Sequence, residues 1–197
     1  MARVNAHVRY PARFQLIAAM NPCRCGTGGA DGIACRRGNR CAADYQARIS
    51  GPFMDRMDIQ IDVPAVTPAD LALPPSKEGS LEVSERVARA RAVQMTRNGG
   101  LTNAELNPQM LDHVAEPDGD GRKLLIKAAE TLGLTARGYH RVLRLARTLA
   151  DLSDSEHIHR IHIAESLSHR RARKGLVAGN SPAKDTVART YKSQKKS

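Results

Sequence analysis

The sequence predicts an α/β segment followed by an all-α domain, and three observations carry that expectation. Leu16-Ile17-Ala18-Ala19-Met20 is an unbroken apolar run of strand length, the pattern of a strand covered on both faces of a parallel sheet. Pro68 to Gly79 contains three prolines, two of them consecutive, and reads as a linker. Beyond it the apolar residues recur at helical spacing as far as the final basic stretch.

Taken in order, Val4 to Tyr10 and Phe14 to Met20 read as two strands joined at Pro11-Ala12-Arg13. Residues 26 to 41 are rich in Gly and Arg without periodicity, which indicates a loop. Asp44 to Ile49 reads as a short helix ending near Gly51-Pro52. Ile59-Gln60-Ile61-Asp62-Val63 alternates as a strand does, and Pro64 stops it. After the linker, Ser84 to Arg97 sets Val83, Val87, Ala90 and Gln94 or Met95 near one face and stops at Asn98-Gly99-Gly100. Thr102 or Asn103 caps a short helix reaching Val114, and Gly121 to Leu132 gathers Leu124, Leu125, Ala128, Ala129 and Leu132 on one side. Thr135 is the N-cap of a long helix, because Tyr139, Val142, Leu143, Ala146 and Leu149 fall on one stripe. Asp154 or Ser155 caps a last helix through Ile158, Ile161 and Leu167.

Charge is unevenly spread. The formal net charge is +11, and Arg170 to Ser197 holds nine Lys or Arg against one Asp, so the tail alone carries +8. That tail is polar and aperiodic, the composition of a disordered segment that either solubilises the chain or neutralises nucleic-acid phosphates without sequence preference. No run of 18 apolar residues occurs and the first ten residues have no apolar signal core, so the chain is expected in the cytoplasm, away from membranes. Four cysteines in such a compartment point to metal ligands or thiols rather than disulfides.

Three strings carry a resemblance to a known family. They are Phe14-Gln15-Leu16-Ile17-Ala18-Ala19-Met20-Asn21-Pro22-Cys23, then Ile49-Ser50-Gly51-Pro52 with Asp55-Arg56-Met57-Asp58, and Tyr139-His140-Arg141-Val142-Leu143-Arg144-Leu145-Ala146-Arg147-Thr148-Leu149-Ala150-Asp151-Leu152. Residues 8 to 66 and 81 to 170 resemble the C-terminal part of the Mg-chelatase-like ComM ATPases of bacteria, a branch of the AAA+ superfamily. The resemblance implies the C-terminal part of an AAA+ phosphate-loop core with an incomplete parallel sheet, followed by an all-α lid. Residues 1–67 would be the partial core, 68–80 the linker, 81–170 the lid and 171–197 a disordered basic tail.

The same resemblance assigns roles. Asn21, read locally as a turn-former or cap, corresponds to sensor 1, which contacts the γ-phosphate or the attacking water. Arg56, read locally as one partner of a weak surface ion pair with Asp55 or Asp58, corresponds to an arginine finger acting on ATP held by the next subunit. Such a finger contributes about three to five orders of magnitude in rate in phosphoryl transfer, and its planar fork makes Lys a poor substitute. Arg137 in the first turn of the long helix opposes the helix dipole, and an anionic phosphate would offset that. By similarity it is the sensor 2 residue, with Arg141 and Arg144 on the same strip as competing choices or as a solvated basic face.

The cysteines follow C-x-C-x9-C-x5-C as Cys23, Cys25, Cys35 and Cys41. Four thiolates in one Gly-rich loop suit a tetrahedral Zn²⁺, although the spacing is not the common C-x2-C pair and thiols without metal remain the alternative. His157, His159, His162 and His169 show no i, i+4 pair and read as solvated or packed side chains.

The implied parent is a hexameric, cytoplasmic AAA+ ATPase using ATP and Mg²⁺ to remodel DNA by branch migration in natural transformation. No G-x-x-x-x-G-K-[ST] string occurs in the 197 residues, so this chain is expected to be the C-terminal portion of such a motor and inactive alone. Two other readings stand beside it: a small Zn²⁺-stabilised nucleic-acid-binding module, and the remnant of a truncated gene.

Overall fold

The computed structural model describes residues 2–3, 6–7, 14–21, 23–24, 39–63, 66–74 and 78–170. The chain forms two units, residues 1–45 and 46–197. In the first, β1 (Ala2–Arg3) and β2 (Ala6–His7) pair antiparallel, with Ala2 opposite His7 and Arg3 opposite Ala6. The unit closes on α1 (Asn39–Gln46), which begins five residues before the expected helix.

Two expected strands are corrected. Phe14 to Met20 has no regular structure and is exposed throughout, with Phe14 at 77% and Ile17 at 85%. Ile59 to Val63 likewise forms no strand, and Ile59, Ile61 and Val63 are exposed. A strand exists only when its backbone donors and acceptors meet a neighbour. Among the described residues no strand lies beside either segment, so the apolar pattern has no sheet to join. The incomplete parallel sheet is therefore absent from the described residues.

The second unit opens with α2 (Gly51–Met54), a single turn capped by Ser50, whose Oγ accepts from the Phe53 amide, with Pro52 in the first turn. The expected linker contains one further turn, α3 (Pro68–Leu71), set by a reciprocal cap between Thr67 and Asp70.

Five helices follow. Helix α4 (Ser80–Arg97) starts before the expected Ser84, because Glu82 reaches back to the Gly79 amide at 2.9 Å and satisfies the entry. The expected helix to Val114 is split into a 3₁₀ turn, Asn103–Glu105, and α5 (Pro108–Val114), whose N-cap is Asn107. Asp118 caps α6 (Gly119–Leu132), and Gly133 ends it in the left-handed conformation at φ 59°. Thr135 caps α7 (Ala136–Leu152) as its sequence predicts, accepting from the Gly138 amide at 3.0 Å. Helix α8 (Arg160–Ser168) begins later than Asp154 or Ser155, with His159 as N-cap. Asp154 turns back at φ 54°, and Ile158 pairs in a short parallel bridge with Pro117.

The core sits around α7, which packs against α4, α5 and α8 while α8 also packs on α6. Leu106, Leu111, Leu125, Val142, Leu143, Ala146, Ile158 and Ile163 are buried together. Full burial of such aliphatic side chains contributes roughly 1.5–3 kcal/mol each. A polar network closes the α4 end of this core. Asp151, its side chain fully shielded, receives Arg97, Asn103 and Arg147. Burial works to raise the Asp151 pKa, but hydrogen bonds from Arg97 and Asn103 and the Arg147 charge outweigh it and hold the carboxyl below its ordinary value.

Candidate functional site

Arg56 follows the single turn of α2. Its Nη1 donates to the Pro52 carbonyl at 2.8 Å, and its side chain is otherwise exposed. A rigid, proline-started turn thus presents an accessible guanidinium. The turn itself is held from both sides of Arg56. Asp55 accepts from Arg170 Nη2 at 2.9 Å, and Asp58 Oδ1 lies 3.4 Å from Arg141 Nη1. Gln60 adds two anchors, its amide donating to the His169 carbonyl at 3.0 Å and its Nε2 to the Met54 carbonyl at 3.1 Å.

Opposite this turn the start of α7 and the end of α8 assemble three arginines. Arg137 is exposed in the first turn of α7, Arg141 lies one turn on, and Arg170 follows α8 with its guanidinium near Gly138. The Arg141 guanidinium is pulled below its ordinary pKa, first by burial and then by the positive charges of Arg170 and Arg137, against the attraction of Asp58 and Asp55. Nη1 of Arg141 and Nη1 of Arg170 are buried without a hydrogen-bond partner. Arg141 Nη1 has only the longer ion pair with Asp58, so of the three arginines it is the exposed Arg137 whose fork is open to a phosphate oxygen.

The sequence-identified residues therefore divide. Arg56, Arg137 and Arg141 fall in the second unit, and the contacts of Asp58 with Arg141 and of Asp55 with Arg170 place the Arg56 turn against α7, which carries the other two, and the end of α8. Asn21 is exposed at the end of 14–21 in the first unit. Arg144, a competing choice for the phosphate contact, is committed elsewhere, donating from Nε to the Asn103 carbonyl and from Nη2 to the Leu106 carbonyl, both at 3.0 Å. Arg170 is the last residue of the expected lid and the first of the basic stretch by composition, and its side chain is only 11% exposed and paired with Asp55. Its partner lies 115 positions away, so no local pattern announces it.

Cys23 and Cys41 are both buried in the first unit, while Cys25, Cys35 and the 171–197 tail lie outside the described residues. Among the described residues no group of three or more His, Cys, Asp or Glu gathers to hold a metal. Thiolates are the donor chemistry of structural zinc, and two of the four are in a sheltered position. Two of the histidines are engaged within the fold: His159 Nδ1 meets Asp118 Oδ2 at 2.9 Å, and His162 Nδ1 accepts from the His159 amide at 3.0 Å. No described helix is long and apolar enough to cross a membrane.

Comparison with known proteins adds independent observations. A family model described as magnesium chelatase, subunit ChlI, matches residues 1–71, and one described as magnesium chelatase, subunit ChlI C-terminal, matches residues 77–170. Competence protein ComM of Haemophilus influenzae is 39% identical over 171 residues, which are 86% of this chain and 33% of that protein. Proteins called YifB, of Salmonella typhimurium and Escherichia coli, are 37% and 36% identical, covering 90% of this chain and 35% of their own length in each case. The chain spans about a third of the length of these curated relatives.

Proposed function

Because the chain belongs to the ComM-type, magnesium-chelatase-like family of ATPases, we propose that it supplies the nucleotide-sensing part of an AAA+ motor. In this reading residues 1–67 belong to an AAA+ core and residues 81–170 form its lid. Arg56 acts on ATP bound by a neighbouring subunit. Its fork stabilises charge on the transferring phosphoryl oxygens. Arg137 and Arg141 contact phosphate as sensor 2, and Asn21 orients the γ-phosphate or the attacking water as sensor 1. Mg²⁺ and the phosphate cradle come from the phosphate-loop half of the motor. In this reading the assembly is a cytoplasmic hexamer that remodels DNA.

The observation that carries this reading is the Arg56 turn. An exposed guanidinium sits on a capped, proline-started turn with carboxylates on either side tied to Arg170 and Arg141, and with Nη1 on the Pro52 carbonyl the rest of its fork is left available to a partner. The test is ATP turnover by this chain supplied with a phosphate-loop domain of the same family. Arg56→Ala should lower turnover by about three orders of magnitude or more with nucleotide affinity nearly unchanged. Mixing that variant with subunits disabled in the phosphate loop should restore part of the activity. Unchanged turnover in Arg56→Ala would remove the assignment.

A second reading draws on the burial of both Cys23 and Cys41: the first unit is a Zn²⁺-stabilised module and the basic tail engages nucleic acid. Salt-dependent DNA binding by the chain alone, without any response to nucleotide, would favour it.

A further inference from the structure

We propose that Arg170 is a positioning residue for Arg56: by clamping Asp55 it fixes the α2 turn to the helical domain, so the helices set the direction of the finger. The proposal rests on the reading of Arg56 given above and assigns to the end of α8 a part in the reaction that touches no nucleotide.

Among the described residues Arg56 is tethered to its own turn, through the Pro52 and Phe53 carbonyls. Whatever orients the turn therefore orients the guanidinium. Three contacts do so, and all reach the same small region. Arg170 Nη2 donates to Asp55 Oδ1 at 2.9 Å, the neighbouring His169 carbonyl accepts the Gln60 amide at 3.0 Å, and Asp58 stands 3.4 Å from Arg141. The Asp55–Arg170 pair is 21% and 11% exposed, so it is not the solvated kind that contributes almost nothing. Arg170 also lies over the first turn of α7, where a Cβ added to Gly138 would sit 3.4 Å from Nη2.

Electrostatics make the clamp directional. A guanidinium near a helix N-terminus faces the positive end of the dipole, and Arg137 and Arg141 add like charge. Asp55 and Asp58, the residues immediately before and two after Arg56, supply the compensating charge. The finger turn is thus the counter-ion of the helix start. Losing Arg170 frees Asp55 and leaves Gln60 and Asp58 to hold the turn alone.

Amide exchange on the 197-residue chain tests the clamp directly. Arg170→Ala should speed exchange at Arg56, Met57 and Gln60 by about tenfold or more, as local opening becomes easier, with Val142 to Leu149 unaltered. Arg170→Lys, which keeps the charge without the fork, should lie between. In the assembled ATPase, Arg170→Ala should lower kcat about 10- to 100-fold, the scale of a small misplacement of a reacting group, with KM for ATP little changed. The defect should appear at the neighbouring subunit's site in mixed assemblies, and Asp55→Arg combined with Arg170→Asp should recover both readouts. Unchanged exchange at the three amides overturns the clamp. Faster exchange with unchanged kcat overturns its role in positioning. If Arg56→Ala alone leaves turnover intact, the finger reading falls while the exchange result still reports on the contact.

Discussion

Arg97 and Asp151 make a two-point contact, Nη1 to Oδ1 at 2.6 Å and Nη2 to Oδ2 at 3.0 Å, which ties the last turn of α4 to the last turn of α7. Asn103 and Arg147 complete the shell around the same carboxylate at 2.8 and 3.0 Å. Asp151→Ala should therefore destabilise the helical unit by about 3–5 kcal/mol, since it strands partly buried guanidiniums without a counter-charge. Urea unfolding followed by far-UV circular dichroism gives the measure. Asp151→Asn should recover part of the loss by keeping acceptor geometry on one oxygen.

Acid should weaken the helical unit in two stages. Burial, reinforced by the charges of His159 and Arg147, holds His162 below its ordinary pKa of 6.5. Its neutral form is the one that accepts the His159 amide. The unfolded chain binds the proton more readily, so this contribution is complete above pH 6.5 and is lost as pH falls through the lower folded value. Asp151 is also depressed, from 3.8, so its contribution is complete above that pH and disappears at still lower pH. Urea midpoints at pH 7.5, 5.5 and 3.5 should fall in that order. His162→Gln should lessen the loss that sets in as pH falls below 6.5.

Arg137 and Arg144 share a helix but should respond oppositely to truncation. Arg144→Ala leaves the Asn103 and Leu106 carbonyls without their donors, at a cost of about 1–3 kcal/mol in stability. Arg137→Ala removes an exposed side chain, so the unfolding midpoint should hardly move. Nucleotide-dependent turnover in the assembled motor should fall with Arg137→Ala. Thermal unfolding and ATPase assays on the two variants separate the roles.

If the four cysteines hold Zn²⁺, purified chain should contain about one metal per molecule. Serine at Cys25 or Cys35 should then lower metal content as much as serine at Cys23 or Cys41. A chelator should loosen the first unit, because binding free energy is also folding free energy. Metal-free protein after gentle purification, with all four serine variants behaving as the parent, would return these residues to thiols.

The helical unit was legible in the sequence because its signals are local. Thr135 caps α7, Gly133 ends α6 and the apolar stripe of α7 faces the core. Boundaries failed where a side chain from inside the helix supplied the cap, as Glu82 does for α4, or where a backbone bridge took over, as Ile158 does before α8. The strands at 14–20 and 59–63 were misread for a different reason. Apolar pattern states what a segment would bury, and pairing depends on partners that a local pattern cannot contain. In the candidate site, Arg56 and Arg137 are singled out by short strings, and both side chains are exposed. The clamp by Arg170 was not, because ion pairing across 115 residues leaves no periodicity.

The occupied fork of Arg170 also governs how the chain can be cut. A protease that selects arginine must draw the whole side chain into its specificity pocket, and this guanidinium is already engaged with Asp55 close over Gly138. Cleavage after Arg170 thus requires the α2 turn to let go first. The bond that follows this residue gauges the docking of Arg56, readable without any nucleotide by mass spectrometry, which tells cleavage after Arg170 from cleavage after Arg171 or Arg173.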